Sequence, residues 1–494
     1  MKNNPLLSSD GYKVGHHLMY APGTTMVYSN YTCRSVKYMP ENAKDVVVFG
    51  VQYVFKYIQE FWNENFFSQP KDKVCQHAKK VLSSYLSCDY NVSHFEALHD
   101  LGYLPIEVKS LEEGTVIQSG IPLFIIKNTL SEFFWITNFL ETLISTLIWK
   151  PVHSASLAYG YKKILTRYAK ETDKDNLWFV DFQAHDFSFR GMQSPEAAVS
   201  SALGFTTSFK GSDTIPVLDA AYHYYNTEDI VFSVNATEHS VMCSGSKEDE
   251  IGTFRRLMTT FPTGILSVVS DTWDLWKVLT DYLPQLKKEI LSRDGKLVIR
   301  PDSGDPVDII CGYTPIDEDA LGSFECIPTN PDEKGLIELL WDTFGGSVNE
   351  QGFKILDPHI GAIYGDSITL ERAEQICKRL KAKGFASTNI VLGVGSYSMG
   401  YCTRDNQGGA VKSTAVEING ELVEIFKDPV TDDGTKKSAK GLLGVYYDDY
   451  MNLQLYDQLN WDQENAGELK TIFKDGKFTS LTTIDKIRLK LNEQ

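Results

Sequence analysis

The chain has 494 residues, of which 42% are hydrophobic and 23% are charged, and its formal net charge is −17. This composition is that of an ordinary globular protein with enough chain for a sizeable core, and it excludes a disordered or fibrous class. The acidic balance argues against general nucleic-acid binding, which needs a basic surface. An anionic ligand would therefore need a local pocket of arginines and lysines.

The eight cysteines are scattered and form no C-x-x-C pair, so the sequence indicates neither a zinc site nor a disulfide framework. Reduced thiols are typical of a cytoplasmic protein. The opening residues lack the apolar segment of a signal peptide, and the most apolar run, Phe133 to Trp149, is too short and polar to span a bilayer. We therefore expect a cytoplasmic protein without a membrane partner.

The first 170 residues mix strands and helices without a regular repeat. Gly and Pro turns separate the strands, whereas the helices are rich in aromatic residues and lysine. The predicted elements are strands at Thr25–Tyr31, Val46–Val51, Pro105–Lys109 and Gly114–Ile126, helices within residues 51–100, and two helices at Thr137–Trp149 and Ser154–Lys170.

From about residue 177, short apolar runs alternate with helical patterns, and each run ends in polar, reactive residues. A repeated order of strand, reactive turn and helix is typical of a parallel α/β barrel, in which the chemistry gathers at the carboxyl ends of the strands. The runs that predict strands are Leu177–Asp181, Ile265–Ser270, Leu297–Ile299, Ile360–Tyr364 and Ile390–Leu392.

After residue 405, the pairs Asn419-Gly420 and Asp475-Gly476 are typical of tight hairpins. These hairpins, together with the strands near the N-terminus, predict one mainly antiparallel sheet domain built from both ends of the chain. We therefore expect an α/β protein in which residues 1–150 and 405–494 form a mixed sheet domain and residues 151–404 an irregular parallel α/β barrel.

The stretch Arg300-Pro-Asp302-Ser-Gly304 ends one predicted buried strand with a guanidinium and a carboxylate. Arg300 can hold an anionic group in a planar fork, and Asp302 can bind a hard cation or ribose hydroxyls. The alternative is a turn that carries a surface ion pair.

Asp271 and Asp302 follow successive predicted strands, so a barrel would place them side by side, with Asp366 nearby. Carboxylates grouped in this way suit Mg²⁺, which commonly accompanies a phosphate. The alternative for each aspartate alone is a helix cap.

A glycine-rich turn also points to an anionic ligand. Gly393-Val-Gly395-Ser396 follows a strand and offers backbone N–H groups to a phosphate, with Arg404 and Lys427 downstream as countercharges. This turn lacks the third glycine of a dinucleotide fingerprint.

Aromatic and titratable residues occur close to these turns. Phe187 and Arg190 suit a flat, anionic ligand, although a core phenylalanine and a surface arginine explain the same pair. Glu238-His239 places an acid beside a histidine, which alone is more often structural than catalytic.

Taken in order, these motifs resemble the nicotinate/nicotinamide phosphoribosyltransferase family of type II phosphoribosyltransferases, and its nicotinamide-using members in particular. The resemblance runs from about residue 6 to the C-terminal hairpins. The motifs that carry it are Asp10-Gly-Tyr12-Lys13, His185-Asp-Phe187-Ser-Phe-Arg190-Gly, Phe209-Lys-Gly-Ser-Asp213-Thr, Thr237-Glu-His239-Ser, Ser267-Val-Val-Ser-Asp271, Ile299-Arg300-Pro-Asp302-Ser-Gly304, Tyr364-Gly365-Asp366, Thr403-Arg404-Asp405 and Phe426-Lys427-Asp-Pro.

The resemblance implies a pentosyltransferase that joins nicotinamide to 5-phosphoribosyl 1-pyrophosphate with Mg²⁺, giving nicotinamide mononucleotide and pyrophosphate in NAD salvage. It also implies a homodimer with shared active sites, in which Phe187 stacks on the pyridine ring and Tyr12 of the partner subunit closes the other face. Asp10, in the same motif as Tyr12, is also implied as a substrate-binding residue. Arg190 and Arg300 would stabilise the charge on the departing pyrophosphate.

By the same resemblance, Asp213 accepts the carboxamide N–H. A carboxylate there would repel nicotinate, at a cost of roughly several kcal/mol in a partly dry pocket. Asp213 therefore favours the amide over the acid.

Further roles follow from the resemblance. Asp271 and Asp302 would hold the ribose hydroxyls and the water shell of Mg²⁺, which binds through the pyrophosphate. His239 corresponds to the histidine that ATP phosphorylates in the family to stimulate product formation, and Glu238 would orient its ring. The residues implied for the 5′-phosphate are Gly365, Asp366, Gly395, Ser396, Arg404, Lys427 and Arg34 of the partner subunit.

Three departures distinguish this chain: Ser396 interrupts a longer glycine run, Gly11 replaces a serine, and the acidic stretch from Cys311 to Lys334 is long. Two alternatives remain. A nicotinate-specific phosphoribosyltransferase shares the fold, and Asp213 argues against it. A non-catalytic nucleotide-binding barrel is the other, and the paired acids Asp271 and Asp302 argue against that.

Overall fold

The computed structural model describes residues 3–313, 330–426 and 439–493. They divide into two compact units. The first comprises Met1–Ser156, Ala220–Glu228 and Thr403–Gln494, and the second Leu157–Asp219 and Asp229–Cys402. Within the described ranges, no helix combines the length and apolar character that crossing a bilayer requires.

The first unit contains a seven-stranded antiparallel sheet built from both ends of the chain, as predicted. Asn419 and Gly420 have φ values of 53° and 82°, and Asp475 and Gly476 have values of 48° and 76°. Positive φ at both central residues is what a two-residue hairpin turn requires. In spatial order the strands are Glu421–Glu424, Gly409–Ile418, Thr24–Cys33, Pro122–Asn128, Ile106–Ser110, Lys470–Lys474 and Lys477–Phe478.

Among the described residues, the first unit also contains two small antiparallel sheets and five α-helices. The sheets pair Val46–Val47 with Val116–Ile117 and Leu442–Tyr447 with Leu453–Leu459. The helices are Val51–Trp62, Lys71–Leu86, Ser93–Leu101, Trp461–Ala466 and Ile484–Asn492. Two further helices, Ile136–Thr172 and Pro216–Tyr225, carry the chain from one unit to the other.

The second unit is built on a seven-stranded parallel sheet in an irregular α/β barrel arrangement, which confirms the predicted fold class. In chain order the strands are β1 (Ala184–Asp186), β2 (Gly211–Ser212), β3 (Asn235–Ala236), β4 (Thr263–Val269), β5 (Asp294–Arg300), β6 (Ile360–Tyr364) and β7 (Ile390–Val394). Their spatial order is β2-β1-β7-β6-β5-β4-β3, and an isolated bridge joins Gly211 of β2 to Phe232, which lies shortly before β3 in the chain. All carboxyl ends therefore meet at one rim.

Helices connect these strands, as the apolar spacing predicts. In Leu370–Ala382, the stripe of Leu370, Ala373, Ile376 and Leu380 is buried, and Gly384 follows with a φ of 77°. The other helices are Pro195–Thr206, His239–Cys243, Glu250–Thr260, Leu275–Lys277, Leu283–Leu291, Pro306–Cys311, Pro331–Phe344 and Ser396–Gly400, and a hairpin joins Gly346–Val348 to Lys354–Leu356.

Two predicted elements are wrong. The run Leu177–Asp181 belongs to a 3₁₀ segment, Lys174–Phe182, and the strand begins only at Ala184. The two helices expected between residues 137 and 170 are a single helix, Ile136–Thr172, with Pro151 inside it. Proline removes one hydrogen bond from a helix, but neighbouring packing can hold the axis continuous.

Candidate active site

Asp271 and Asp302 lie side by side at the carboxyl rim, as the strand order predicts. Strands β4 and β5 pair in parallel register up to Val269 and Arg300. The backbone N–H groups of Asp302 and Ser303 each donate to Asp271 Oδ2 at 2.8 Å. Asp271 therefore fixes the loop after β5 with one oxygen and keeps the other free.

That second oxygen, Asp271 Oδ1, is buried and accepts no hydrogen bond from the described residues. His239 lies next to the same pair of acids, with Nε2 3.2 Å from Asp302 Oδ1 and Nδ1 3.1 Å from Thr272 Oγ1. Ligand atoms of His239, Asp271 and Asp302 lie within 4.8 Å of one another. A carboxylate oxygen without a partner beside a second carboxylate fits Mg²⁺, which needs oxygen ligands, or a water bound to Mg²⁺, which needs hydrogen-bond acceptors.

Glu238 does not orient the His239 ring, contrary to the sequence-based expectation. Its carboxylate accepts a hydrogen bond from Ser240 Oγ instead. Because Glu238 precedes the short helix that begins at His239, its side chain turns towards that helix rather than towards the ring. Thr272 and Asp302 hold the imidazole.

Arg300, the last residue of β5, directs its guanidinium into the barrel. Nη2 donates to the carbonyl of Thr237 at 2.5 Å, whereas Nε is buried without a partner among the described residues. Burial lowers the pKa of Arg300, and the nearby carboxylates Asp302, Asp213 and Asp271 act against that effect. A buried cation with an unused donor is prepared to bind an acceptor group of a ligand.

Asp213 follows β2, and two neighbours hold one of its oxygens. His185 Nε2 donates to Oδ1 at 2.9 Å and Ser233 Oγ donates to the same atom at 2.6 Å. Burial by itself would raise the pKa of Asp213, but the contacts from His185, Ser233 and Arg300 outweigh it and lower the pKa. Asp213 is therefore a carboxylate at neutral pH, and none of the described residues donates to its Oδ2.

Phe187 follows β1 and packs against His185 and β7. Its ring centroid is 4.6 Å from that of His185, and its N–H donates to the carbonyl of Val394 at 3.0 Å. A Cβ on Gly393 would lie 2.7 Å from the Phe187 ring, so glycine is needed there for the ring to approach β7. The sequence Gly393-Val-Gly395 thus has a packing role besides the predicted phosphate contact.

Phe187, Asp213 and Arg300 line one end of a cavity of about 510 Å³ inside the barrel. Phe187 and Asp213 also line a second recess of about 380 Å³, together with Arg190. The three residues expected around a pyridine ring therefore face the same space.

The predicted phosphate-binding residues of the second unit meet at the neighbouring part of the rim. A Cβ on Gly365 would lie 3.2 Å from Asp302 Cβ, and one on Gly395 would lie 3.2 Å from Asp366 Oδ1. A Cβ on Gly191, next to Arg190, would overlap the Ser396 hydroxyl. Arg190 is exposed beside these approaches, whereas the N–H groups of Gly365 and Gly191 already donate to the carbonyls of Pro301 and Ser188, each at 3.0 Å.

Comparison with known proteins identifies the family. The nicotinate phosphoribosyltransferase (NAPRTase) family model matches residues 182–477. The chain belongs to the nicotinate phosphoribosyltransferase family. This membership confirms the resemblance seen in the sequence and the enzyme class, a pentosyltransferase. A second family model, "Nicotinamide phosphoribosyltransferase, N-terminal domain", matches residues 4–108.

Two bacterial relatives align with nearly the whole chain. A nicotinamide phosphoribosyltransferase of Acinetobacter baylyi is 46% identical over 99% of this chain and 97% of its own length. One of Mycoplasma pneumoniae is 35% identical over 88% of this chain and 94% of its own.

Two solved structures share the fold at low identity. The human nicotinic acid phosphoribosyltransferase is 14% identical, with a TM-score of 0.55 over 98% of this chain and 93% of its own. A Pyrococcus furiosus nicotinate-nucleotide pyrophosphorylase is 13% identical, with a TM-score of 0.54 over 100% of this chain and 96% of its own.

The remaining predicted site residues belong to the first unit. Asp10 Oδ2 accepts a hydrogen bond from Thr142 Oγ1 at 2.6 Å, and the Tyr12 side chain is exposed. Arg34 Nε donates to the carbonyl of Gly408 at 2.9 Å, and Arg404 Nη2 lies 3.3 Å from Asp405 Oδ1. Lys427 and most of the long acidic stretch, residues 314–329, lie outside the described residues.

Two residues to which the sequence analysis assigned no role support the site. Asp186, fully buried, accepts hydrogen bonds from Ser188, Ser212 and Thr214 and so ties the loop after β1 to the one after β2. Ser267 Oγ on β4 is buried without a partner among the described residues, and Ser267 lines the cavity. Ser267 begins one of the motifs that carry the resemblance, and alternation along the strand places it on the inner face.

Proposed function

We propose that the chain transfers the phosphoribosyl group of 5-phosphoribosyl 1-pyrophosphate to nicotinamide, giving nicotinamide mononucleotide and pyrophosphate for NAD salvage. The observation that carries this proposal is the arrangement of Asp213, Arg300 and Phe187 around one end of the barrel cavity. A flat face, an anionic acceptor and a guanidinium match an uncharged pyridine carboxamide with its N–H donors and carbonyl acceptor.

Asp213 is the selector in this proposal. Two donors hold its Oδ1, so the carboxylate has one orientation and presents Oδ2. Nicotinamide can donate its N–H to that oxygen, whereas the carboxylate of nicotinate would meet a like charge. The arrangement therefore favours nicotinamide over nicotinate.

The reaction breaks the bond between ribose C1 and the pyrophosphate oxygen, and the pyrophosphate leaves with the electron pair. The pyridine nitrogen then forms the new bond to C1, without needing a base because its lone pair is free. Arg190 and Arg300 stabilise the charge on the departing group, and the barrel rim orients both reactants. Asp302 and Asp271 bind the ribose hydroxyls.

Mg²⁺, bound through the pyrophosphate near Asp271 and Asp302, would neutralise charge on the leaving group. The 5′-phosphate binds at the rim formed by Gly365, Asp366, Gly395 and Ser396. Arg404 and Lys427, with Arg34 of the partner subunit, are proposed to supply its countercharges.

ATP is proposed as a stimulating co-substrate that phosphorylates His239. The imidazole is accessible and contacts Asp302, so a phosphate on it would add negative charge next to the proposed metal position. We also propose a homodimer in the cytoplasm, with Tyr12 of the partner subunit closing the free face of the pyridine ring.

The proposal is tested with purified full-length protein, 5-phosphoribosyl 1-pyrophosphate, Mg²⁺ and either nicotinamide or nicotinate, with and without ATP. Mass spectrometry should detect nicotinamide mononucleotide and pyrophosphate in equal amounts. Formation of nicotinate mononucleotide alone would replace this function with the nicotinate-specific one. No nucleotide product from either base would refute catalysis of this reaction.

A further inference from the structure

The barrel cavity extends along the inner face of β5 towards the amino ends of the strands. Lys296, Val298 and Arg300 all line it, as expected for alternate residues of one strand. At a rise of about 3.3 Å per residue, Lys296 lies roughly 13 Å from Arg300 along the strand. The cavity thus has a second end, remote from the proposed reaction centre.

The second end is lined mainly by apolar and aromatic side chains. Trp178, Phe179 and Phe182 from the 3₁₀ segment line it together with Ile360 and Leu356. Trp178 is 66% exposed, so this end of the cavity includes a side chain at the protein surface. Flat, apolar walls of this kind suit an aromatic ring.

Lys296 provides a cation among these apolar walls. None of the described residues accepts a hydrogen bond from its Nζ. Burial lowers the pKa of Lys296, and the negative charge of Asp357 only partly opposes this effect. Asp357 Oδ1 is itself engaged, by His359 Nδ1 at 2.7 Å and His359 N at 2.9 Å. The ammonium group therefore has hydrogen-bonding capacity that the described part of the chain does not use.

We propose that Lys296 and the aromatic walls around it form a second binding subsite, which takes a small aromatic carboxylate. A single ammonium group matches one carboxylate, whereas a phosphate dianion would need several donors. The two ends of the cavity thus sort ligands by charge: Asp213 repels carboxylates at one end and Lys296 attracts them at the other.

The cavity has room for both ligands at once. A volume of about 510 Å³ lies within the range of sites for drug-sized molecules, which exceed a single substituted ring. A carboxylate at Lys296 therefore binds alongside a neutral aromatic amide at Asp213 and does not displace it. This inference rests on the cavity and on Lys296, and it holds whichever base the enzyme uses as substrate.

The experiment uses benzoate as the probe and isothermal titration calorimetry on the full chain, without 5-phosphoribosyl 1-pyrophosphate. Benzoate should bind the natural protein, and saturating nicotinamide should change its Kd by less than about threefold. Lys296→Met should weaken benzoate binding by about tenfold or more, the scale of one charge-assisted hydrogen bond. Lys296→Arg should retain binding, and Lys288→Met, a change of an exposed lysine on Leu283–Leu291, should have no effect.

Neutral benzamide, the matched ligand, should not distinguish Lys296→Met from the natural protein at this subsite. Lys296→Gln serves as a second neutral variant, and thermal unfolding of each variant shows whether the fold is retained. Equal benzoate affinity in folded Lys296→Met or Lys296→Gln overturns the inference, as does competition between benzoate and nicotinamide. Neither result touches the proposed reaction, which the product assay tests separately.

Discussion

The two ends of the barrel cavity differ in how their charges are held. At the carboxyl rim two aspartates are fixed by neighbours: His185 and Ser233 donate to Asp213, and the loop after β5 donates to Asp271. At the amino end, Lys296 has no such support among the described residues. The comparison indicates that charged side chains are held in fixed orientations where bonds form and break, because preorganised charges need no rearrangement during the reaction. A subsite that only binds a ligand can use a cation, such as Lys296, whose side chain is less firmly held.

The largest effect on activity should come from replacing a charged side chain on the inner face of β5 by a neutral one. Arg300→Gln should lower kcat/KM for nicotinamide by about 10³-fold, since a fixed donor to the developing charge is lost. Lys296→Gln, its matched control four residues earlier, should stay within about threefold in the same steady-state assay. Similar losses in both variants would remove the functional difference between the two ends.

Asp213→Asn should come next in size. The ratio of kcat/KM for nicotinamide to that for nicotinate should fall by about ten- to a hundredfold, because the like-charge penalty on nicotinate disappears. Since the pKa of Asp213 is lowered, the natural enzyme should keep its selectivity from neutral to mildly acidic pH. An Asp213→Asn variant with the same selectivity as the natural protein contradicts the proposed selector.

His239→Gln should abolish stimulation by ATP, because the phosphate acceptor is gone. The rate without ATP should fall only by about tenfold, since one charge-assisted contact to Asp302 is replaced by a neutral one. Initial rates with and without ATP give both quantities. Persistent stimulation would exclude His239 as the phosphorylated group.

Ser267→Ala should have the smallest effect. The buried Oγ has no partner among the described residues, so we expect it to bind the substrate carboxamide. Its loss should raise KM for nicotinamide by about three- to tenfold with little change in kcat. Val298→Ala on the same wall, which removes only methyl groups, is the control. An unchanged KM in Ser267→Ala would show that the hydroxyl does not bind the carboxamide.

The sequence predicts the barrel and the meeting of Asp271 with Asp302, because strand order and register follow from alternating apolar runs. It also predicts both hairpins, since Asn-Gly and Asp-Gly pairs have a local conformational preference. These features depend on neighbours in sequence or on a regular repeat, and so they are readable without coordinates.

Features that depend on side-chain direction were not predictable in the same way. Glu238 sits next to His239 in sequence, yet it bonds to Ser240, and the ring partners come from other elements. Asp186 was not predicted because its donors converge from two loops. The position of Lys296 was predictable, because alternation places it on the inner face of β5 with Arg300. The aromatic side chains around it were not, because they come from the 3₁₀ segment Lys174–Phe182, where the sequence predicted a strand.

The central sheet of the first unit has a consequence for synthesis of the chain. Strand Thr24–Cys33 pairs with Pro122–Asn128 on one side but waits for Gly409–Ile418 on the other. About 280 residues separate the end of Pro122–Asn128 from the start of Gly409–Ile418. At about 5–20 residues per second, the ribosome needs roughly 15 to 60 seconds to make them. For that time one edge of the nascent strand has no permanent neighbour, and its unpaired backbone groups are open to pairing with other chains.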